Sequence, residues 1–315
     1  MYLDYIDLHC DTALELYRKG QDLKANDLAI SLDKAACYPH YAQLFAVWGP
    51  QALSDEESYR DFLAVSDRFQ TQLMANSDSI VQARNGKQLR AAWESGRNAA
   101  IMAVEDARLL AGDLSRLDVL AERGVVYLTL LWGGKTIIGG SHDTDEGLTE
   151  FGRAVVKRCF ELGIVPDISH ASARSADEVL TLAEEAGRPV IASHSNAYAV
   201  YGHSRNLRDE HFKRLIALGG VVGFNLYARH IKDCTDTYAR PEHLLPHMEH
   251  FLSLGGEKHL AIGGDLDGAA LPAGMSCVSD VAQLVGVMQE KGYDIGLIRD
   301  IFSRNALRFF EKYTG

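Results

Sequence analysis

What this sequence lacks narrows its function before any motif is found. No apolar run approaches the roughly 20 residues that a membrane-spanning helix needs, so no span is expected. There is no basic excess either: 32 Lys and Arg stand against 43 Asp and Glu, a formal net charge of −11. Nucleic acid and anionic membrane both call for a basic patch, so neither is an expected partner and small molecules are the expected ligands. Cysteine is scarce, with Cys10, Cys37, Cys159, Cys234 and Cys277 odd in number and free of Cys-x-x-Cys pairs. That pattern indicates neither a disulfide framework nor a thiolate zinc site. The opening MYLDYIDLH has no basic segment followed by an apolar stretch, because Asp4 and Asp7 interrupt it. The expectation is a cytoplasmic protein without a membrane anchor. Low-complexity tracts and Pro/Ser-rich linkers are missing too, so residues 1–315 are read as one domain.

What is present is a rhythm. Apolar, strand-like runs fall at 5–9, 43–48, 99–105, 125–132, 164–170, 189–194, 220–226 and 259–265. Between them lie segments such as FGRAVVKRCFELG and SADEVLTLAEEAG, with apolar residues at i, i+3 and i+4 and a Gly near the end. Eight β-then-α units predict a single (β/α)8 barrel, with a doubly wound open sheet as the competing architecture. The stretch from 49 to 98 is too long for one helix and predicts two helices flanking a small strand at SIVQAR.

Active sites of such barrels lie at the carboxyl ends of the strands, and metal-ligand residue types stand at those ends here. His9 and Asp11 follow the first run, Glu105 closes the third, His170 the fifth, His194 the sixth and Asp265 the eighth. In an extended chain His9 and Asp11 point to the same side. Three imidazoles and three carboxylates without a thiolate suit zinc or a similar divalent ion, and six groups exceed one tetrahedral site. Two ions sharing a carboxylate, roughly 3.5–4 Å apart, can hold a hydroxide and polarise a carbonyl, which is hydrolase chemistry.

Each residue also has an ordinary reading. A single His at a strand end is more often structural than a ligand, and His-x-Asp recurs by chance; the coincidence of positions carries the argument. Glu105 could instead cap a following helix together with Asp106. GGDLDG lacks the alternating oxygen ligands and terminal Glu of a calcium loop. GGSHDTDEG around His142 reads as a solvated loop, and His40, His211, His230, His243, His247, His250 and His259 read as structural or surface residues. Cys10 points away from His9 and Asp11 and reads as packing. No G-x-S-x-G, Walker or GxGxxG segment stands in a convincing strand–turn–helix context.

Taken in order, IDLHCDT, AVEDA, VPDISHAS, VIASHSNAYAVYGHSRNLRDE and AIGGDLDGA span nearly the whole chain. Together they resemble the membrane dipeptidase (renal dipeptidase) family of the amidohydrolase superfamily. The resemblance implies a barrel with two Zn2+ per chain that hydrolyses dipeptides, often with a D-residue on the C-terminal side. It implies His9 and Asp11 as ligands of one zinc, Glu105 as the bridge, and His170 and His194 as ligands of the other. It makes Asp265 the proton-handling carboxylate and puts Arg205, in SRN beside Asn206, on the substrate's terminal carboxylate, a task that suits a guanidinium fork. From its surroundings alone Arg205 reads equally well as a surface residue near Arg208.

Two departures stand out. Better-known members carry a His after the fourth strand, in LTLTH, near the scissile carbonyl; this chain reads LTLLW, with Trp132 there as a substrate-site residue. Those members are also lipid-anchored, whereas this chain ends LRFFEKYTG without an apolar tail. Other binuclear amidohydrolase chemistry stays open, on a lactone, a cyclic amide or an N-acyl amino acid, as does a catalytically impaired metal-binding relative. A homodimer is equally open.

Overall fold

A computed structural model describes residues 3–235 and 237–314. Its strands are β1 (Tyr5–Cys10), β2 (Tyr41–Trp48), β3 (Ile80–Gln82), β4 (Asn98–Glu105), β5 (Val125–Thr129), β6 (Val165–Asp167), β7 (Val222–Phe224) and β8 (Leu260–Ile262). They pair in parallel in the order β6-β5-β4-β2-β1-β8-β7, with β3 beside the start of β4. β1, β5 and β6 are buried along their whole length. That is why they read as continuous apolar runs rather than alternating ones, as in a parallel sheet covered on both faces.

The curled sheet closes between β6 and β7 through a segment that is not a regular strand. Ile191 bridges Asp167 of β6, and Ala192 bridges Val222 of β7. The run expected as a strand over 189–194 is therefore reduced to two bridges. The ladder stops because its next donors turn elsewhere: Ser193 N–H donates to the Asp167 carboxylate and His194 N–H to Ser169 Oγ. The Ser193 carbonyl also crowds Gly223 and Gly263, where a Cβ would lie 2.0 and 1.8 Å from it. Only glycine at both positions lets the backbone come this close. With this segment as a stave, the ring is a (β/α)8 barrel.

Helices follow the strands in turn. The 49–98 connection holds helices Asp55–Ala75 and Gly86–Glu94 around β3, as the sequence predicts. Ser54 starts the first with a reciprocal cap: its hydroxyl accepts from Glu57 N–H, and the Glu57 carboxylate accepts from Ser54 N–H. Helix Glu150–Leu162 ends at Gly163, whose φ of 74° lies in the left-handed region that glycine enters freely. That turn aims the chain into β6, and beyond β6 lies His170.

Candidate metal centre

The carboxyl ends of the strands bring His9, Asp11, Glu105, His170, His194 and Asp265 together. Backbone geometry contributes directly. His170 and Asp265 are non-glycine residues at φ 68° and 57°, a strained conformation that tends to persist where function needs it. It turns each side chain back over the barrel mouth just after its strand has ended. Asp265 is held in register by its N–H, which donates to the His9 carbonyl at 3.0 Å.

Glu105 sits at the centre, its two oxygens shared among the three imidazoles. Oε2 lies 3.7 Å from His9 Nε2, which is itself 3.7 Å from Asp11 Oδ2. Oε1 lies 3.0 Å from His170 Nε2 and 3.4 Å from His194 Nε2. Asp265 Oδ1 is 4.0 Å from His9 Nε2. Two sets could each hold a metal ion, His9–Glu105–His194 and His9–Asp11–Asp265. This division puts Asp265 among the potential ligands and shares His9. The capping alternative for Glu105 falls away, since the following turn is capped by Asp106, whose carboxylate accepts from Arg108 N–H.

The far side of each imidazole fixes its tautomer. His170 Nδ1 is 2.9 Å from the Trp132 carbonyl, which only accepts, so Nδ1 carries the proton. Tyr127 gives its hydroxyl proton to Leu8 O, so His9 Nδ1–H donates to the Tyr127 oxygen at 2.9 Å. Ser193 gives its proton to Asp167, so His194 Nδ1–H donates to Ser193 Oγ at 2.7 Å. His170 and His194 then turn unprotonated Nε2 atoms inward; against burial, Tyr127 and Glu105 raise His9 well above the ordinary imidazole value, so its Nε2 also faces a place that favours positive charge. His170 and His194 present these nitrogens to each other at 2.9 Å, a contact that calls for a proton or a metal ion between them. Among the described residues, His9 Nε2 and Asp11 Oδ1 are buried without a hydrogen-bond partner. Such a donor set fits zinc or a related ion.

The titrations separate the carboxylates. Burial alone would raise Glu105, but His9, His170 and His194 outweigh it and hold it well below the usual carboxylate range. Burial pushes Asp11 up to about 7 and raises Asp265 as well. On the imidazole side burial lowers His194 and His170, with Arg205 also lowering both.

A cavity of about 260 Å³ opens onto this cluster. Asp11, Glu105, His170 and Asp265 form its floor; Leu14, Trp48, Trp132 and Tyr227 wall it, and Glu15 and Arg18 stand at its edge. Trp132 stacks on His170 with ring centres 5.9 Å apart and packs against Trp48 at 4.9 Å. Arg205 lines a smaller pocket that shares His170 with this cavity, close enough to Asp265 and Glu105 for their charges to act on it. It is buried, its Nη2 reaches the His194 carbonyl at 3.4 Å, and among the described residues its Nε and Nη1 have no hydrogen-bond partner. Burial lowers its pKa to about 10. Asn206 is tied to structure: its side-chain N–H groups donate to the carbonyls of Tyr201 and His230.

Sequence reasoning missed the supports. Asp7, inside β1, and Asp167, at the end of β6, are fully buried carboxylates; Asp7 accepts from the N–H groups of His9 and Gly264. A carboxylate inside an apolar strand run is a signal in itself. His142 is a correction: its loop is not simply solvated. His142 N–H donates to the His170 carbonyl at 2.7 Å, its ring meets Ser204 Oγ at 2.9 Å, and burial beside Arg205 lowers its pKa to about 3. Cys10 is packing, as expected.

Fold and site define a (β/α)8 barrel with a candidate metal centre at its mouth. The chain belongs to the membrane dipeptidase family (peptidase family M19), whose model matches residues 2–314. It is 30% identical over 218 residues to an uncharacterised dipeptidase of Schizosaccharomyces pombe, covering 67% of this chain and 52% of that protein. The chain thus spans about half the length of this curated relative. Two solved structures match over 100% of both chains with TM-scores of 0.92. One is a dipeptidase AC of family M19, at 27% identity. The other is a metallopeptidase from Rhodobacter sphaeroides with a phosphinate mimic of the dipeptide L-Ala-D-Ala, at 26% identity. Among the described residues, no helix is long and apolar enough to cross a membrane.

Proposed function

We propose that the whole chain is one catalytic domain that hydrolyses dipeptides, L-Xaa-D-Xaa among them, with two zinc ions. The observation that carries the reading is Glu105, which turns one oxygen toward His9 and the other toward His170 and His194. In this reading His9 and Asp11 hold one ion, His170 and His194 the other, and Glu105 both. When bound, the ions supply Lewis acidity for the scissile carbonyl and lower the pKa of the attacking water.

The chain's own residues do the rest. Asp265 accepts the water's proton and passes it to the leaving amine. Asn225 donates to its Oδ2 at 3.2 Å and leaves Oδ1 for the cluster side, and its burial-raised pKa suits a proton carrier. Arg205 binds the substrate's terminal carboxylate: a buried guanidinium with unpaired N–H groups is costly, and a planar anion satisfies its fork. Asn206 holds the Arg205 loop, while Trp132 and Trp48 pack against the substrate side chain. The phosphinate-bound relative supports an L,D-dipeptide as substrate.

Elemental analysis and a dipeptide screen of zinc-loaded protein test this. Two ions per chain and turnover of free dipeptides are expected. Amidating the substrate's C-terminus should lower kcat/KM by at least about 30-fold, the floor for unpairing one member of a buried charge pair. Arg205→Ala should remove the acid-over-amide preference. Equal turnover of acid and amide in the unaltered protein would refute the carboxylate role and favour a lactone or cyclic amide.

A further inference from the structure

Asp167 ends β6, is fully buried and lines none of the cavity above the cluster. Its four hydrogen bonds divide by oxygen. Oδ1 accepts the backbone N–H groups of Ser169 and Ser193, both at 2.9 Å. Oδ2 accepts the hydroxyls of Thr129 and Ser193, both at 2.6 Å. Ser193 Oγ, its proton committed to Asp167, can only accept from His194 Nδ1.

This separates His194 from its two partners. The chains of donors behind His9 and His170 end on backbone carbonyls, of Leu8 and Trp132. No side-chain substitution reverses a carbonyl. Behind His194 the terminal acceptor is a side chain. We propose that Asp167 is a positioning residue for the metal centre, acting through the Ser193 hydroxyl to fix His194 in its Nδ1–H tautomer and present an unprotonated Nε2 to Glu105 and His170. The inference rests on reading the cluster as a metal centre.

An isosteric change reverses the relay. In Asp167→Asn the amide oxygen must stay on the Oδ1 side, because two N–H groups point there. The NH2 group then faces the two hydroxyls and donates to Ser193 Oγ. Ser193 then gives its own proton to His194 Nδ1 at 2.7 Å in preference to the more distant Ser169 Oγ at 3.4 Å, which drives the ring proton to Nε2 and closes the ligand position. Ser193→Ala leaves Nδ1 without a partner and the tautomer free. Thr129→Val removes an equivalent bond to the same Asp167 oxygen without touching His194.

The test compares unaltered protein with these three variants in two readouts. The first is the imidazole 15N spectrum of metal-free protein; the second is zinc affinity by competition with a chromophoric chelator. In Asp167→Asn we expect His194 protonated at Nε2 and one of the two ions weakened by roughly 10–100-fold, the usual cost of losing an outer partner of a metal-bound His. The other ion should stay unchanged. Ser193→Ala should fall between, and Thr129→Val should match the unaltered protein. An unchanged His194 tautomer in Asp167→Asn, or both ions bound as tightly as before, overturns the proposal. So does an equal loss in Thr129→Val, which would make Asp167 a packing element. Should Asp167→Asn fail to fold, Ser193→Ala carries the same readouts, and unaltered spectra and affinities there count against the relay. If the unaltered protein takes up no zinc, the metal reading fails, while the 15N spectra still decide the relay.

Discussion

Gly268 contributes to the site by having no side chain. A Cβ there would lie 2.0 Å from Asp11 Oδ2 and 2.7 Å from Asp265 Oδ1, distances no real contact tolerates. Gly268→Ala should therefore push both carboxylates off their positions, lowering zinc affinity by roughly 10–100-fold. The melting temperature of metal-free protein should change little. Chelator competition and thermal melts check this, and unchanged affinity would mean that the loop yields rather than the carboxylates. The six clustered residues were legible because polar side chains ending apolar runs stand out. Their supports were not. Ser193 and Tyr127 look like ordinary barrel residues until the fold sets them behind His194 and His9. Arg205 was legible through SRN, but its burial beside His170 and the His194 carbonyl was not.

At the scale of elements, the sequence marked where every stave of the barrel runs but not how regular each one is. Val190, Ile191 and Ala192 give 189–194 the composition of a strand. Asp167 and Ser169 then take the N–H groups that a ladder would use, and local composition carries no trace of that competition. Helix Leu245–Ser253 shows a similar long-range device. Its His247 accepts Ala197 N–H at Nδ1 and donates from Nε2 to the Ile231 carbonyl, joining two loops. Burial lowers its pKa, since a second ring proton would face the Ala197 N–H. A depressed folded pKa gives stability that is present above the unfolded value of about 6.5 and is lost as pH falls below it. Gln can accept and donate at the same two places without titrating. His247→Gln should therefore lower the melting temperature at pH 7.5 and lower it less at pH 5. A gap that stays constant across this range would show that His247 does not titrate on unfolding.

Across the whole molecule, the proposed ligands come from β1, β4, the turn after β6 and the irregular stave, with Asp265 following β8. Bound ions would thus tie most of the circumference together. Zinc at a hundredfold excess over its Kd should add about 2.7 kcal/mol to stability for each ion bound. Chelation should lower the melting temperature of the entire barrel in one transition, whereas a separate low-temperature step confined to the mouth would show that the ions hold only loops. The contacts between β1 and β8 set the order in which the site can be assembled. Asp7 pairs with Ile262, and the Asp265 amide donates to the His9 carbonyl. During synthesis, His9, Asp11, Glu105, His170 and His194 all leave the ribosome before the chain that carries Asp265. The nascent protein therefore holds its five proposed ligands while its proposed proton carrier is still being made, and the last strand to arrive is the one that switches chemistry on.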